Sequence, residues 1–379
     1  MMLTTLNLTR RRWMPVAAAA LATPGGSWAA DDLLIGQSIT LQGGKNLYGS
    51  DVLAGVRVLL DAVNRAGGVN GRRLTLRTLD DDNRADQAEA NARQLAAEGA
   101  FLLFGSIEGG PSTAVMKAAI DTGTPFFGPM AGSPGLRRPF QPLVFPVRAE
   151  HRDEFRALIG YGARTGLKRV ALFHADSDTG RQHLENVRLL AAEAGVGFAG
   201  GAAFKSDFTD TQLGDLANSL AGRQADLVLN HGSPGIYERL IRQARAAGHR
   251  LQFWGVNSGS SPLATALGPL ARGMVFAQIV PSPFARKTAL TREYQARWRA
   301  AFADAPFSYG SLEGYMTAKA LVAALRAAGP APTRASLLTA LQDFETDLGG
   351  VPLRYRGQEH DGSRFVDLSM VGRDGRFIQ

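Results

Sequence analysis

Residues 33–79 decide the fold: they read LLIGQSIT at 33–40, VLAGVRVLLDAVN at 52–64, RAGGVNGR at 65–72 and RLTLRTL at 73–79. The first stretch is a short apolar run, which predicts a strand. In the second, Val52, Val56, Leu59, Leu60 and Val63 recur at helical spacing and share one face. Gly67-Gly68 predicts a left-handed helix end. Asn70-Gly71 predicts a tight turn into the strand Arg73–Leu79. Strand, helix and strand in this order point to parallel α/β layers.

The same grammar continues. Helix is expected over 85–98, with Asp82 or Asn83 as its cap, and over 111–122. Phe101-Leu-Leu-Phe104 and 125–128 read as buried strands. A second series starts near residue 148, with helices at 155–165, 181–194, 210–220 and 237–247. Its strands are expected at 169–174, 197–204, 226–230 and 252–255. After Gly273 come a strand at 274–279 and three helices at 288–302, 312–328 and 336–344. These helices are expected to return to the first lobe. The glycine-punctuated alternation of 351–379 predicts antiparallel strands.

The 379 residues carry 42 Lys+Arg against 34 Asp+Glu, a net charge of +8, with 45% hydrophobic and 20% charged residues. That is ordinary globular composition and excludes disorder, collagen and coiled coil. The absence of cysteine excludes disulfides, thiolate zinc sites, thiol nucleophiles and an N-terminal lipid-modified cysteine. Residues 1–30 hold Arg10, Arg11 and Arg12 but no acid, then the apolar stretch Met14–Ala22, a Pro/Gly break and Ser27-Trp-Ala-Ala30. This is the pattern of a secretory signal peptide, and Thr9–Met14 has the look of a twin-arginine motif. Removing it lowers the charge to +5. No basic block with interleaved aromatics remains, so nucleic acid is not an expected partner. No later run reaches the ~18 apolar residues of a membrane span, and export is expected.

Ligands of parallel α/β sheets bind beyond the carboxyl ends of the strands. Those loops fall at 42–50, 80–83, 105–112 and 128–134, and again at 175–180, 205–210, 230–234 and 255–261. Their glycines and serines offer backbone N–H groups to an anion such as a carboxylate. The loop Gly105–Ser112 lacks the Gly-Lys-Ser/Thr ending of a phosphate loop. Glu108 has two readings, a partner for a ligand cation or a solvated acid at a helix start. The run Asp80-Asp-Asp82 reads first as a cap and second as a cation site. The six histidines are scattered without metal-ligand spacing, and there is no G-x-S-x-G elbow. No cofactor, metal or enzymatic activity is expected. His231 is the histidine placed in a ligand loop, with a structural role equally open.

Beyond these patterns, Ile35-Gly-Gln, Tyr48-Gly-Ser-Asp51 and Asn64–Arg72 are similar to the opening of type I periplasmic binding proteins. Asp80-Asp-Asp82, Gly128-Pro-Met-Ala-Gly-Ser-Pro134, Asp178-Thr-Gly180, Asp207-Phe-Thr-Asp210 and Arg242–Gly248 continue the resemblance in order. The nearest branch is that of the leucine/isoleucine/valine-binding and amide-binding receptors of ABC transporters. The resemblance implies two Rossmann-like α/β lobes with parallel sheets, a three-strand hinge and a ligand cleft between them. The lobes would comprise 31–147 with 275–347, and 148–274 with 348–379. It also implies a small-molecule ligand, an ABC permease in the inner membrane as partner, and a monomer. Rival readings are a ligand sensor for a signalling partner and an exported α/β enzyme.

Carried over by position, the first-lobe contacts are Tyr48, Glu108, Gly109, Gly110, Ser112, Met130, Ala131, Gly132 and Ser133. The second-lobe contacts are Asp178, Thr179 and Asn257, joined by His231 and Ser233 from the loop reading. Gly109 and Gly110 stand where relatives hold a carboxylate with hydroxyls, and Thr179 stands in place of a tyrosine. Asn257 stands where amino-acid receptors carry the acid that pairs with an ammonium. A neutral amide cannot supply that charge, so the expected ligand is not a plain branched-chain amino acid. Glu108 or Asp178 remains as a compensating acid.

Overall fold

The computed structural model describes residues 32–41, 47–257 and 259–378. The expected signal peptide lies outside them, as does most of the expected 42–50 loop. The first series runs β1 (Leu33–Ile39), α1 (Leu47–Arg65), β2 (Leu74–Asp80), α2 (Ala85–Ala97), β3 (Leu102–Phe104), α3 (Gly109–Thr122), β4 (Phe126–Phe127) and β5 (Val144–Phe145). The second runs α4 (His151–Arg164), β6 (Arg169–Ala175), α5 (Asp178–Glu193), β7 (Gly197–Phe204), α6 (Asp210–Gly222), β8 (Leu227–His231), α7 (Pro234–Ala246), β9 (Gln252–Gly255), α8 (Ser260–Leu267) and β10 (Val275–Gln278). Then follow α9 (Ala289–Ala301), α10 (Tyr309–Ala327), α11 (Arg334–Leu341), β11 (Glu345–Asp347), β12 (Pro352–Arg356), β13 (Glu359–Gly362), β14 (Asp367–Val371) and β15 (Phe377–Ile378).

The first sheet is parallel, in the order β2-β1-β3-β4-β5. The second repeats that order as β7-β6-β8-β9-β10 and adds β14 and β15 antiparallel at its far edge. A small antiparallel sheet, β11-β12-β13, completes the described strands. α1 starts at Leu47, ahead of the expected Val52, because Tyr48 extends the buried face of Val52, Val56, Leu59 and Val63 by one more turn. The expected cap of α2 is not made. Arg84 occupies the N-cap with no side-chain capping bond, while Asp82 and Asn83 take positive φ. Asp81 instead binds the end of β1: its carboxylate accepts from Thr40 Oγ1 at 2.6 Å, Ser38 Oγ at 3.2 Å and the Asn83 amide at 3.1 Å. The carboxylates of Asp80 and Asp81 are thus engaged by protein donors.

α10 lies directly against α1. A Cβ at Gly55 would stand 1.8 Å from the Ser311 carbonyl oxygen, and one at Gly314 would stand 2.1 Å from that of Val52. Glycine is what lets the two backbones touch, and this contact brings the C-terminal helices home to the first core. The division of the chain differs from the expected boundaries at two places. β10 is hydrogen-bonded to β9 and β14 in the second sheet, so residues 275–278 lie there. Leu348, Val351, Leu353 and Tyr355 are buried in the first core, so 348–362 lie with the first lobe. The chain therefore crosses between lobes three times, after β5, after β10 and after β13. The crossing segments are irregular rather than strands.

Candidate functional site

Each five-stranded parallel order reverses direction at its first strand, between β1 and β3 and between β6 and β8. Loops diverge at such switch points and leave a crevice. In the first lobe, Ile107 bridges to Met130, and the Met130 amide donates to the Ser106 carbonyl at 2.7 Å. This clip buries Ser112, Met130, Ala131 and Ser133 together. The Ser112 hydroxyl is used internally, accepting from Ser106 Oγ at 2.7 Å and donating to the Ile107 carbonyl at 3.2 Å. Glu108 holds φ 62°, ψ 148° at the N-cap of α3, a backbone state rare for a residue with a Cβ.

Several expected residues meet across the lobes. A Cβ at Gly109 would lie 2.8 Å from Ser133 Oγ and 3.9 Å from Thr179 Cγ2. A Cβ at Gly132 would strike the His151 ring at 2.6 Å, and the His151 amide donates to the Gly132 carbonyl at 3.0 Å. Others are not gathered here. The Asp178 side chain is 91% exposed and pairs with Arg181. Ser233 and Gly110 are exposed as well.

At the centre lies a buried polar network. Arg148, on the first crossover, contacts the carboxylate of Glu154 and stands 3.7 Å from Glu313 Oε1; all three side chains are fully buried. Asn257 joins them, its amide N–H donating to Glu154 Oε2 at 2.7 Å and its Nδ2 to Glu313 Oε2 at 2.9 Å. Tyr48 donates to Glu313 and accepts from Asn257 Nδ2 at 3.2 Å. One cation faces two carboxyl groups. Burial pushes Glu313 up, against the opposing pull of Arg148. Burial also pushes Glu154 up, but Arg148 and His151 outweigh it and hold that carboxyl below its ordinary range. Ser133 Oγ, Arg148 Nη1, Asn257 Oδ1 and Glu313 Oε1 are buried without a hydrogen-bond partner.

Beside this network, three histidines converge from α4, α5 and the end of β8. The ring centroids of His183 and His231 are 3.9 Å apart, and each lies 5.2 Å from that of His151. Burial lowers the pKa of all three. The sequence singled out His231 alone, because the other two come from distant helices with no shared spacing. Arg148, Glu154 and Glu313 also went unmarked. Glu313 had a visible signal, being the single acid of α10.

The model of the periplasmic binding protein family matches residues 33–376. The chain belongs to that family. A Leu/Ile/Val-binding protein homolog 8 of Brucella suis is 24% identical over 95% of this chain and 93% of its own length. A Leu/Ile/Val-binding protein homolog 1 of Brucella abortus is 29% identical, but the match spans only 31% of each chain. A substrate-binding periplasmic protein from Ralstonia solanacearum has a crystal structure that superposes with a TM-score of 0.81, at 26% identity over 92% of this chain and 100% of that one. The chain is thus a type I periplasmic binding protein of the Leu/Ile/Val branch, and a solute-binding receptor by family. Among the described residues no helix is long and apolar enough to cross a membrane.

Proposed function

We propose that this receptor serves an ABC importer. It captures a small polar metabolite, a carboxylate, an amide or an amino-acid-like solute, between its lobes and hands it unchanged to an inner-membrane permease. In this reading the chain is exported to the periplasm by its N-terminal signal and works as a monomer. The supporting observation is that polar atoms from both lobes and from the first crossover are buried without a hydrogen-bond partner. Ser133 Oγ, Asn257 Oδ1, Arg148 Nη1 and Glu313 Oε1 are such atoms, the last two facing each other at 3.7 Å. A buried polar group left unmatched is costly, so this set favours a ligand that is polar and many-handed. Tyr48, Gly109, Ser133, Thr179 and Asn257 are its proposed neighbours.

A plain branched-chain amino acid fits poorly. Its ammonium needs an ionised acid, whereas Asn257 is neutral and Asp178 faces solvent beside Arg181. The experiment is a thermal-shift screen on chain that has been unfolded, freed of carried-over ligand and refolded. A ligand that binds the native state raises the melting temperature by mass action. A small carboxylate or amide is expected as the strongest hit; leucine or valine as the tightest ligand would refute the assignment.

A further inference from the structure

We propose that His151, His183 and His231 form a binding site for one divalent transition-metal ion of the zinc class in the second lobe's wall of the cleft. One ring nitrogen from each of the three lies within 4.8 Å of the others. In a tetrahedral site with bonds of about 2.0–2.1 Å, ligand nitrogens stand about 3.3 Å apart. Small side-chain rotations therefore bring all three onto one ion. The donors sit on regular elements, at the start of α4, within α5 and at the end of β8, so the arrangement belongs to one lobe.

The hydrogen bonding points the same way. A neutral imidazole carries one N–H and one lone pair. His183 is fully buried, yet neither ring nitrogen has a protein partner. His231 Nδ1 is likewise buried without one. His151 is different: its Nδ1 lies 2.9 Å from Glu154 Oε1. In the tautomer whose Nδ1–H donates to that carboxylate, the lone pair is left on Nε2. A carboxylate behind a histidine is the usual support of a histidine metal ligand. Glu154 is itself held by Arg148 and by the Asn257 amide.

Three imidazoles leave at least one coordination position open. Water or another oxygen donor would complete the shell, and the His151 amide, which donates to the first lobe's Gly132 carbonyl, places the first of the three histidines where the lobes meet. The site does not depend on the identity of the solute. The alternative is plain ring packing, since Phe155 also lies 5.6 Å from His183.

The test uses the full mature chain without an affinity tag, refolded in chelator and then freed of it. Calorimetry with Zn²⁺ is expected to give one ion per chain, with no heat from Mg²⁺ or Ca²⁺, and Co²⁺ should produce the visible absorption of a tetrahedral nitrogen site. His183→Gln and His231→Gln should each weaken Zn²⁺ at least tenfold, with unchanged far-ultraviolet circular dichroism. If buried His183→Gln fails to fold, the half-buried His231→Gln and the wild-type Co²⁺ spectrum still decide. No Zn²⁺ uptake by wild type, or undiminished uptake by the triple glutamine variant, overturns the site. The solute screen repeated in chelator separates the two proposals: solute shifts without Zn²⁺ uptake sink the metal site alone, and Zn²⁺ uptake without any solute shift sinks the solute assignment alone.

Discussion

Asn257 Nδ2 donates to Glu313 Oε2 at 2.9 Å, tying the loop after β9 in the second lobe to α10 in the first. The same nitrogen reaches Tyr48, so one amide group holds two elements of the opposite lobe. Asn257→Ala removes that donor and leaves Glu313 less satisfied. Truncation of one buried partner costs about 1–3 kcal/mol. Urea denaturation should show the loss, and solute affinity should fall with it. Unchanged stability and affinity together would exclude Asn257 as a link between the lobes.

Among the described residues, Arg148 is the one arginine or lysine paired with Glu154 and Glu313. Arg148→Met fills similar space and leaves an unpaired carboxylate in the interior. Breaking a buried pair in this one-sided way costs about 3–5 kcal/mol. The midpoint of urea unfolding should drop accordingly, and replacing Arg148 and Glu154 together by apolar residues should recover part of the loss.

Glu313 predicts a pH dependence of definite sign. The groups facing it are Tyr48 on α1, Arg148 on the first crossover, Glu154 on α4 and the neutral Asn257. Its folded pKa is raised, chiefly by burial, so the native state binds the proton more tightly than the unfolded chain does. The stability this brings is complete below the unfolded carboxyl range and is lost as pH rises through the folded pKa. Glu313→Gln cannot ionise. Stability measured from weakly acidic to neutral pH should therefore decline less in the variant than in wild type. Parallel curves would show that Glu313 ionises freely in the fold.

The α1–α10 contact predicts overpacking. Gly314→Ala places a methyl 2.1 Å from the Val52 carbonyl oxygen. Backbone cannot yield as a flexible side chain can, so a cost of about 1–3 kcal/mol is expected. Gly110→Ala, with nothing within 4 Å of the added carbon, serves as the neutral control in a thermal melt.

Local patterns made most of the fold legible. The face of α1, the positive-φ turn at Asn70-Gly71 and the buried run Leu102–Phe104 each carry their signal within a few neighbouring residues. The two lobe boundaries were less visible, because whether residues 275–278 and 348–362 join one sheet or the other is settled by pairing with distant strands. The site was legible in part. Gly109, Ser133 and Thr179 do approach one another, as the loop positions suggested. Asp178 does not, because Arg181 one turn later on α5 holds it at the surface. The polar centre as a whole leaves no local sequence signal, for a physical reason. Arg148, Glu154 and Glu313 come from a crossover and two helices of separate lobes, and their chemistry exists only once burial forces them together. The three histidines share that history.

The most direct measurement is small-angle X-ray scattering of the refolded chain, without ligand and then saturated with the best solute from the thermal screen. The account predicts that the radius of gyration falls on saturation, and that mass spectrometry recovers the solute unaltered. A radius indifferent to a solute that demonstrably binds, or recovery of a converted product, would contradict it.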